Sequence, residues 1–240
     1  MKPARELAKA ALARVSDRVE VRLLGDSFLP VLPSLRPVVP GLRRGQVIQV
    51  EAGSLAQALS AGASAEGSWC GVVGMPDFGV LAAAAMGCDI DRLLLVDEPG
   101  ERWDEVVATL VEAVNVVVVR PPGRPPPGVV RRLTALVRKA GSCLLVAGAW
   151  DGAMVRVRVA SSLWTGVGQG HGHLRGRRVQ VVAEGRGSGG RPRSAWLWLP
   201  GPDGSVSGAD LVPVDGLGQD PAPRPAELVA STWPPGAVVA

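Results

Sequence analysis

The segment after the first predicted strand lies where nucleotide-binding proteins usually hold phosphate. At that position a glycine-rich turn normally presents backbone amides, and a lysine reaches the β- and γ-phosphates. Here the chain reads Glu51-Ala52-Gly53-Ser54, followed by Leu-Ala-Gln-Ala-Leu. One glycine remains, no lysine follows, and Glu51 brings negative charge toward the place of a polyanion. The pattern predicts a degenerate phosphate loop.

The metal position of such a pocket is altered as well. A phosphate loop needs an acidic residue at the end of a neighbouring strand to hold magnesium. The apolar run Val116–Val119 ends instead in Arg120 and two prolines, and an arginine repels a divalent cation. We therefore expect no ATP hydrolysis, no cofactor and no metal from the four residues of this degenerate nucleotide pocket, Glu51, Gly53, Ser54 and Arg120. Nucleotide binding through the backbone amides around Gly53 stays open as an alternative.

A second candidate site is basic. Residues 171–193 carry one acidic residue and six arginines: Arg175, Arg177, Arg178, Arg186, Arg191 and Arg193. Such a cluster could neutralise the phosphates of DNA in a salt-dependent way. The alternative is an ordinary solvated edge, since the chain has 23 arginines against 3 lysines, a bias typical of GC-rich genomes. The cluster also lacks the regular aromatic spacing of a base-stacking surface.

The remaining chemistry-bearing residue types are weaker candidates. His171 and His173 make an incomplete metal-ligand set without a nearby cysteine or carboxylate, and a glycine-rich loop is the simpler interpretation. The three cysteines are scattered among apolar residues, which predicts buried, reduced thiols. Trp69, Trp103 and Trp150 are expected to pack in the core. Trp196 and Trp198 share one face of a predicted strand, which favours covering a sheet edge over stacking on a base. Two assignments are left open: Trp164 could lie in the core or at the surface, and Trp233, in the C-terminal segment, could contact a partner or fold back on its own chain.

Alternating strands and helices must position these residues. Continuous apolar runs indicate strands that are buried on both faces, and helix-like stretches between them imply parallel crossovers. The predicted strands are 47–50, 69–73, 93–96, 116–119 and 143–147, and the predicted helices are 55–61, 78–86, 102–113 and 129–140. Residues 154–159, 178–183 and 195–199 read as antiparallel strands at the sheet edge, interrupted by glycine-rich loops. This is an α/β, doubly wound, mostly parallel sheet with helices on both faces.

Three regions follow from the patterns along the chain. Residues 1–24 predict an N-terminal arm, a helix followed by an extended stretch, whose apolar stripe includes Leu7, Leu12 and Val15. A segment with four prolines, 30–45, reads as a stiff connector inside the core region, 25–203. Residues 204–240 are rich in Pro, Gly and Asp and predict a flexible acidic tail.

Composition excludes several classes of protein. The 240 residues are 47% hydrophobic and 20% charged, which is too apolar for a disordered chain. No stretch approaches the roughly 20 apolar residues of a membrane span, and residues 1–20 lack the apolar block of a secretory signal. We expect a cytoplasmic protein.

Specific motifs resemble known families. Residues 41–45 (Gly-Leu-Arg-Arg-Gly), the stretch 81–95 with its alanine-rich helix and Asp-Ile-Asp-Arg-Leu-Leu, and the strand Val116–Val119 resemble the ATPase core of the RecA recombinase family, and the likeness covers about residues 20–203. Gly-Ser-Trp-Cys at 67–70, Val-Val-Gly-Met-Pro-Asp at 72–77, Trp103, 162–166 and Gly-His-Gly at 170–172 resemble the ImuA family, in particular its ImuA-prime form.

The resemblance implies a function. ImuA proteins are RecA-like accessory subunits of the bacterial mutasome, so it implies a catalytically inactive adaptor, a pseudo-ATPase, in DNA-damage-induced translesion synthesis and mutagenesis. The implied partners are ImuB, a polymerase-like subunit, an error-prone replicative-type polymerase, RecA itself as a further contact, and DNA. The arm and the tail would be its attachment points, with Leu7, Leu12, Val15 and Trp233 as contacts. Two alternatives stay open: a nucleotide-responsive DNA-binding protein of the RecA type, and a single-stranded DNA-binding module centred on residues 175–193.

Overall fold

The computed structural model describes residues 27–51, 53–167, 172–185 and 191–209. The α-helices are α1 (Gly53–Ala65), α2 (Val80–Ala85), α3 (Trp103–Ala113) and α4 (Pro127–Ala140). The strands are β1 (Phe28–Leu29), β2 (Leu42–Arg43), β3 (Val47–Val50), β4 (Cys70–Val73), β5 (Leu93–Val96), β6 (Val116–Val119), β7 (Cys143–Ala147), β8 (Val155–Val167), β9 (Gly172–Gly185), β10 (Arg193–Trp198) and β11 (Ser207–Gly208).

Nine of these strands form one sheet in the order β11-β10-β9-β8-β3-β7-β6-β4-β5. The strands from β8 to β5 in this order run parallel to one another, and β9, β10 and β11 add antiparallel pairs at the other side. The predicted α/β fold, with a mostly parallel sheet, is confirmed, and the arrangement is consistent with a RecA-like core.

The two faces of the sheet are read directly from side-chain alternation. Val116 and Val118 belong to one buried cluster together with α1, whereas Val117 and Val119 belong to a second cluster with α3 and α4. Successive side chains of a strand point to opposite faces, so both faces of the parallel sheet are covered. This double burial explains the uninterrupted valine run of β6, because each of its four side chains is buried.

The helices suit the space that they fill. Every residue of α1 from Leu55 to Ser64 is buried, which requires its small side chains, and a Cβ on Gly62 would lie 2.4 Å from the carbonyl carbon of Val31. Helices α3 and α4 instead bury one stripe each. Gly141 ends α4 in the left-handed conformation with φ 66°, where glycine carries no Cβ penalty.

The proline-rich segment before β3, residues 30–45, has more regular structure and packing than the sequence predicted. It forms the pair β1–β2 and a 3-10 turn at Pro33–Leu35. Its apolar side chains join the cluster around α1: Leu29, Val31, Leu35, Val38, Val39 and Leu42. The interpretation as a stiff connector was therefore wrong, since the segment is a packed part of the core.

The later strands also differ from the prediction. β8 pairs with β3 in parallel and only with β9 antiparallel, and it continues to Val167 instead of ending at Val159. Residues 162–166, beyond the predicted end of the strand, are therefore in a long hairpin with β9. Past residue 203 the sheet continues, because β11 pairs with Leu197 and Trp198 of β10.

Candidate functional site

The expected phosphate position lies at the carboxyl edge of the parallel strands. β3 ends at Val50 and α1 begins at Gly53. Between them, Glu51 is exposed, and its backbone N–H donates to the carbonyl of Val157 at 3.1 Å. Ser54 is partly buried in the first turn of the helix. A helix N-terminus attracts anions, so the local backbone alone would still suit a phosphate.

Arg120 occupies the space in front of this turn. A Cβ placed on Gly53 would lie 3.4 Å from Arg120 Nη2 and 3.3 Å from Met75 Cε. Met75 is 2% exposed, so it is part of the packed core behind this turn. The sequence-predicted residues Gly53 and Arg120 are thus brought together, with the Arg120 guanidinium beside the first turn of α1.

Asp77 completes the arrangement. Arg120 Nη1 donates to Asp77 Oδ1 at 2.5 Å, and this hydrogen bond is the main reason that the pKa of Asp77 is lowered from its ordinary value. The carboxylate is therefore ionised and engaged with the guanidinium at neutral pH. A carboxylate held in this way is a poor magnesium ligand, because the arginine would have to be displaced first.

Gly74 allows the pair to form. The backbone N–H of Arg120 donates to Val73 at 3.0 Å, and Gly74 has φ +70° with its would-be Cβ 2.6 Å from the Arg120 carbonyl oxygen. A side chain at this position would collide with the Arg120 backbone. From the sequence alone, no role was assigned to Gly74 or Asp77. Both residues follow β4, and β4 lies beside β6, which is followed by Arg120. This neighbourhood is the feature from which the Arg120–Asp77 pair could have been predicted.

Two arginines of the second candidate site, Arg177 and Arg178, lie on opposite faces of the β8–β9 hairpin. Arg177 is opposite Trp164 in the register, its guanidinium is 5.7 Å from the ring centroid, and its Nε donates to Ser162 Oγ at 2.9 Å. Arg178 lies on the other face, 5.8 Å from the Trp196 ring and 5.9 Å from that of Trp198. All three distances fall within the cation–π range.

The structure does not gather all six arginines. Arg193 pairs with Ala183, six residues along β9 from Arg177, which is roughly 20 Å at the rise of a strand. Arg175 and Arg191 are exposed, and Arg186 is outside the described residues. Trp164 is 47% exposed, which decides its open assignment in favour of the surface. The described part of the basic site is therefore the distal hairpin, with Arg175 and Arg177 beside Trp164.

The other candidates are distributed as follows. Trp103 and Trp150 are buried and Trp69 packs against the α3–α4 cluster, so their core assignment is confirmed. The three cysteines are buried and free, as predicted.

His173 is exposed, and the described residues contain no group of three His, Cys, Asp or Glu side chains that could hold a metal ion. None of the helices in the described ranges is sufficiently long and apolar to cross a bilayer. Leu7, Leu12, Val15, His171 and Trp233 are outside the described residues.

Similarity to known proteins extends over the part of the chain that contains Gly53. Residues 37–152 match a family described as the MT3502 N-terminal domain, just under half of the chain, from β2 through β7. A Mycobacterium tuberculosis protein whose printed name is "Uncharacterized protein Rv3395c" is 36% identical over 126 residues, which are 52% of this chain and 59% of the relative. The alignment thus spans less than two thirds of that relative's length. The chain is similar to the MT3502 N-terminal domain through the strands and helices that position Gly53, Asp77 and Arg120.

Proposed function

We propose that this protein is an ImuA-family subunit that acts as a catalytically inactive adaptor in translesion synthesis. The observation that carries the proposal is the Arg120–Asp77 pair in front of Gly53. The resemblance of residues 67–70 and 72–77 to the ImuA family supports it.

The pair opposes catalysis for two physical reasons. Phosphoryl transfer depends on a positioned metal and on cations that reach the β- and γ-phosphates. Here the strand-end residue is a guanidinium, which repels a divalent cation, and the nearby carboxylate of Asp77 is already neutralised. A pocket that lacks the phosphate-loop lysine and has an arginine at the magnesium position retains little with which to lower a barrier.

The proposed partners come from the family resemblance. They are a polymerase-like ImuB subunit and, through it, an error-prone replicative-type polymerase, with RecA and DNA as further contacts. Catalysis would belong to the polymerase, and this chain would supply binding surfaces. Two weak attachments joined by linkers can together give tight assembly through effective concentration.

Co-purification tests the adaptor proposal. The full chain, a chain lacking residues 1–24 and a chain lacking residues 210–240 are each mixed with the ImuB-like subunit. The second deletion begins after β11, so that the sheet edge is kept. The proposal predicts retention of the full chain with or without ATP and magnesium, and reduced retention of at least one shortened chain. No retention of the full chain would refute it.

A second candidate function, binding of single-stranded DNA, is favoured by one observation. Trp164 is half exposed beneath the Arg177 guanidinium on a projecting hairpin, and base stacking on an aromatic ring is worth about 1–3 kcal/mol per base. Each phosphate contact adds salt dependence. An Arg177→Ala, Trp164→Leu double variant should then weaken the binding of a labelled single strand and flatten its salt slope, whereas Arg131→Ala on α4 should not. Equal binding by both variants would remove this candidate.

A further inference from the structure

A pocket lies at the amino-terminal edge of β3 and β8, the edge opposite to the one that carries Gly53. We call it the amino-edge pocket, and it is bounded by the β1–β2 pair and by the starts of β3, β8 and β10. Its volume is about 200 Å³. Sites that enclose drug-sized ligands measure about 300–1,000 Å³. The amino-edge pocket therefore suits one small group, such as a single side chain, and is too small for a nucleotide.

The walls of the amino-edge pocket are apolar and held by the core. Val38, Val39, Ile48 and Val155 line it and belong to the buried cluster around α1. Phe28 also lines it and is 55% exposed, so part of this apolar side chain is open to a ligand. An apolar group bound here would contact side chains that are already in place, which lowers the ordering cost of binding.

Two arginines give the amino-edge pocket its charge. Arg43 of β2 and Arg193 at the start of β10 line it, and both are exposed. Neither guanidinium has a hydrogen bond or an ion pair within the described residues, and the described residues that line the pocket include no Asp or Glu. Two uncompensated guanidiniums beside an apolar cavity favour an anionic ligand, and the planar fork of arginine matches a carboxylate in geometry.

Gln46 adds an amide without a partner. It lines the amino-edge pocket and is 7% exposed. Its backbone N–H donates to the Arg43 carbonyl at 3.2 Å, and its backbone carbonyl accepts from the N–H of Leu144 at 3.0 Å. Its side-chain amide, in contrast, makes no hydrogen bond to any residue that the structure describes. Buried polar groups are normally hydrogen-bonded, and a primary amide both donates and accepts, so a peptide group is a matching ligand.

We infer that the amino-edge pocket binds the C-terminal residue of a partner protein. The apolar last side chain would enter the cavity, the terminal carboxylate would bind Arg43 and Arg193, and the last peptide group would bind Gln46. A C-terminal residue carries all three chemistries on one small unit, whereas a phosphate lacks the apolar body and a free aliphatic acid lacks the peptide group. Capture of a terminal carboxylate is a recurring mode of peptide recognition.

The inference goes beyond the proposed adaptor function and does not depend on it. The Arg120–Asp77 pair lies at the opposite edge of the parallel strands, and neither of its residues lines the amino-edge pocket.

Peptide titrations followed by NMR test this site. The full chain, labelled with ¹⁵N, is titrated with the peptide Ser-Gly-Ser-Gly-Leu as its free acid and as its C-terminal amide. A third probe, 4-methylpentanoate, has the apolar group and carboxylate of leucine but no peptide group. We expect the free acid to shift the backbone signals of residues 38–48. The amidated peptide and 4-methylpentanoate should each bind about tenfold more weakly, because each lacks one hydrogen-bonding group of the free peptide.

Three variants test the assigned contacts. Arg193→Glu should weaken binding of the free peptide at least tenfold, because the charge at the carboxylate is reversed. The matched control is Arg131→Glu, which changes an exposed arginine on α4 and should leave binding unchanged. Gln46→Leu should weaken binding of the peptide but not of 4-methylpentanoate. Thermal unfolding verifies that each variant folds, and the two exposed arginines keep the test valid if Gln46→Leu does not.

Several outcomes would overturn the inference. These are equal binding of the free and amidated peptides, equal binding of the free peptide by Arg193→Glu and wild type, and no saturable binding at millimolar peptide. Binding of 4-methylpentanoate as tight as that of the peptide would identify the ligand as a free acid instead. Binding that appears only after residues 210–240 are deleted would identify the occupant as the C-terminal segment of this chain.

This inference and the adaptor proposal fail in distinguishable ways. If the ImuB-like subunit is retained but the peptide does not bind, the amino-edge pocket is wrongly assigned while the adaptor function stands. If the peptide binds as described but no ImuB-like subunit is retained, the pocket is correctly assigned and the adaptor proposal fails.

Discussion

Arg120 and Asp77 form an ion pair with 2.5 Å between Nη1 and Oδ1, at the ends of two neighbouring strands. The pair lies beside the start of α1, where Arg120 Nη2 is 3.4 Å from the position that a Cβ on Gly53 would take. The pair contributes little to folding, because exposed ion pairs are weak. Its two opposite charges compensate each other beside the first turn of α1.

The pKa of Asp77 tests this pair directly. The hydrogen bond from Arg120 lowers that pKa, so the ionised carboxylate favours the folded state above its ordinary pKa, and this contribution is lost as the pH falls through the lowered value. Arg120→Ala should return the pKa of Asp77 toward its ordinary value in a carboxyl-carbon NMR titration. Arg124→Ala, which removes the partner of Asp151 instead, should leave Asp77 unchanged. An unaltered Asp77 titration in Arg120→Ala would show that the pair does not form.

Two helical glycines give a matched test of core packing. Gly62→Ala would place its Cβ within 2.4–2.5 Å of the Val31–Leu32 backbone, whereas Gly128 of α4 faces open space. Urea unfolding should show a loss of about 1–3 kcal/mol for Gly62→Ala through overpacking. Gly128→Ala should be neutral or stabilising by up to about 1 kcal/mol, since alanine favours helix. Equal effects would mean that the segment 28–43 does not pack on α1.

The buried thiols predict a loss of stability at alkaline pH. Burial raises the pKa of Cys70 and of Cys143 to about 12 from an ordinary value of 9.0. Both thiols ionise first in the unfolded chain, so their contribution is fully present below pH 9 and declines as the pH rises from 9 toward 12. Each thiol gives a slope of about 1.4 kcal/mol per pH unit.

This alkaline slope is measurable because few other groups interfere. The chain has no tyrosine and only three lysines. The free energy of unfolding in urea, measured between pH 9 and 11, should fall with pH, and Cys143→Ala should reduce the slope by about 1.4 kcal/mol per pH unit. An identical slope in that variant would contradict the assignment of the titration to buried thiols.

The parallel strands of the fold could be predicted from the sequence, and the reason is physical. β3, β4, β6 and β7 are buried on both faces, so their apolar runs mark both position and parallel pairing. The β8–β9 hairpin could not be predicted, because residues 162–166 and 173–178 mix polar, aromatic and basic side chains along strands that extend beyond the covered part of the sheet. Their composition resembles that of a loop, and the parallel pairing of β8 with β3 depends on a strand order that local patterns do not encode.

The candidate site was predictable in its parts but not in its connections. Arg120 follows a buried strand, so its place at the carboxyl edge could be inferred. Its partner could not, since Asp77 is 43 residues away along the chain and reaches Arg120 only because β4 lies beside β6. The same holds for Trp164 and Arg177, which meet through the register of the hairpin.

Release of phosphate from ATP by the purified protein, with magnesium and with or without single-stranded DNA, is the most direct test of the central claim. The inactive-adaptor account predicts no turnover above that of a protein-free control, for the wild type and for Gly53→Val alike. Turnover by the wild type that Gly53→Val abolishes would show an intact nucleotide site and would contradict it.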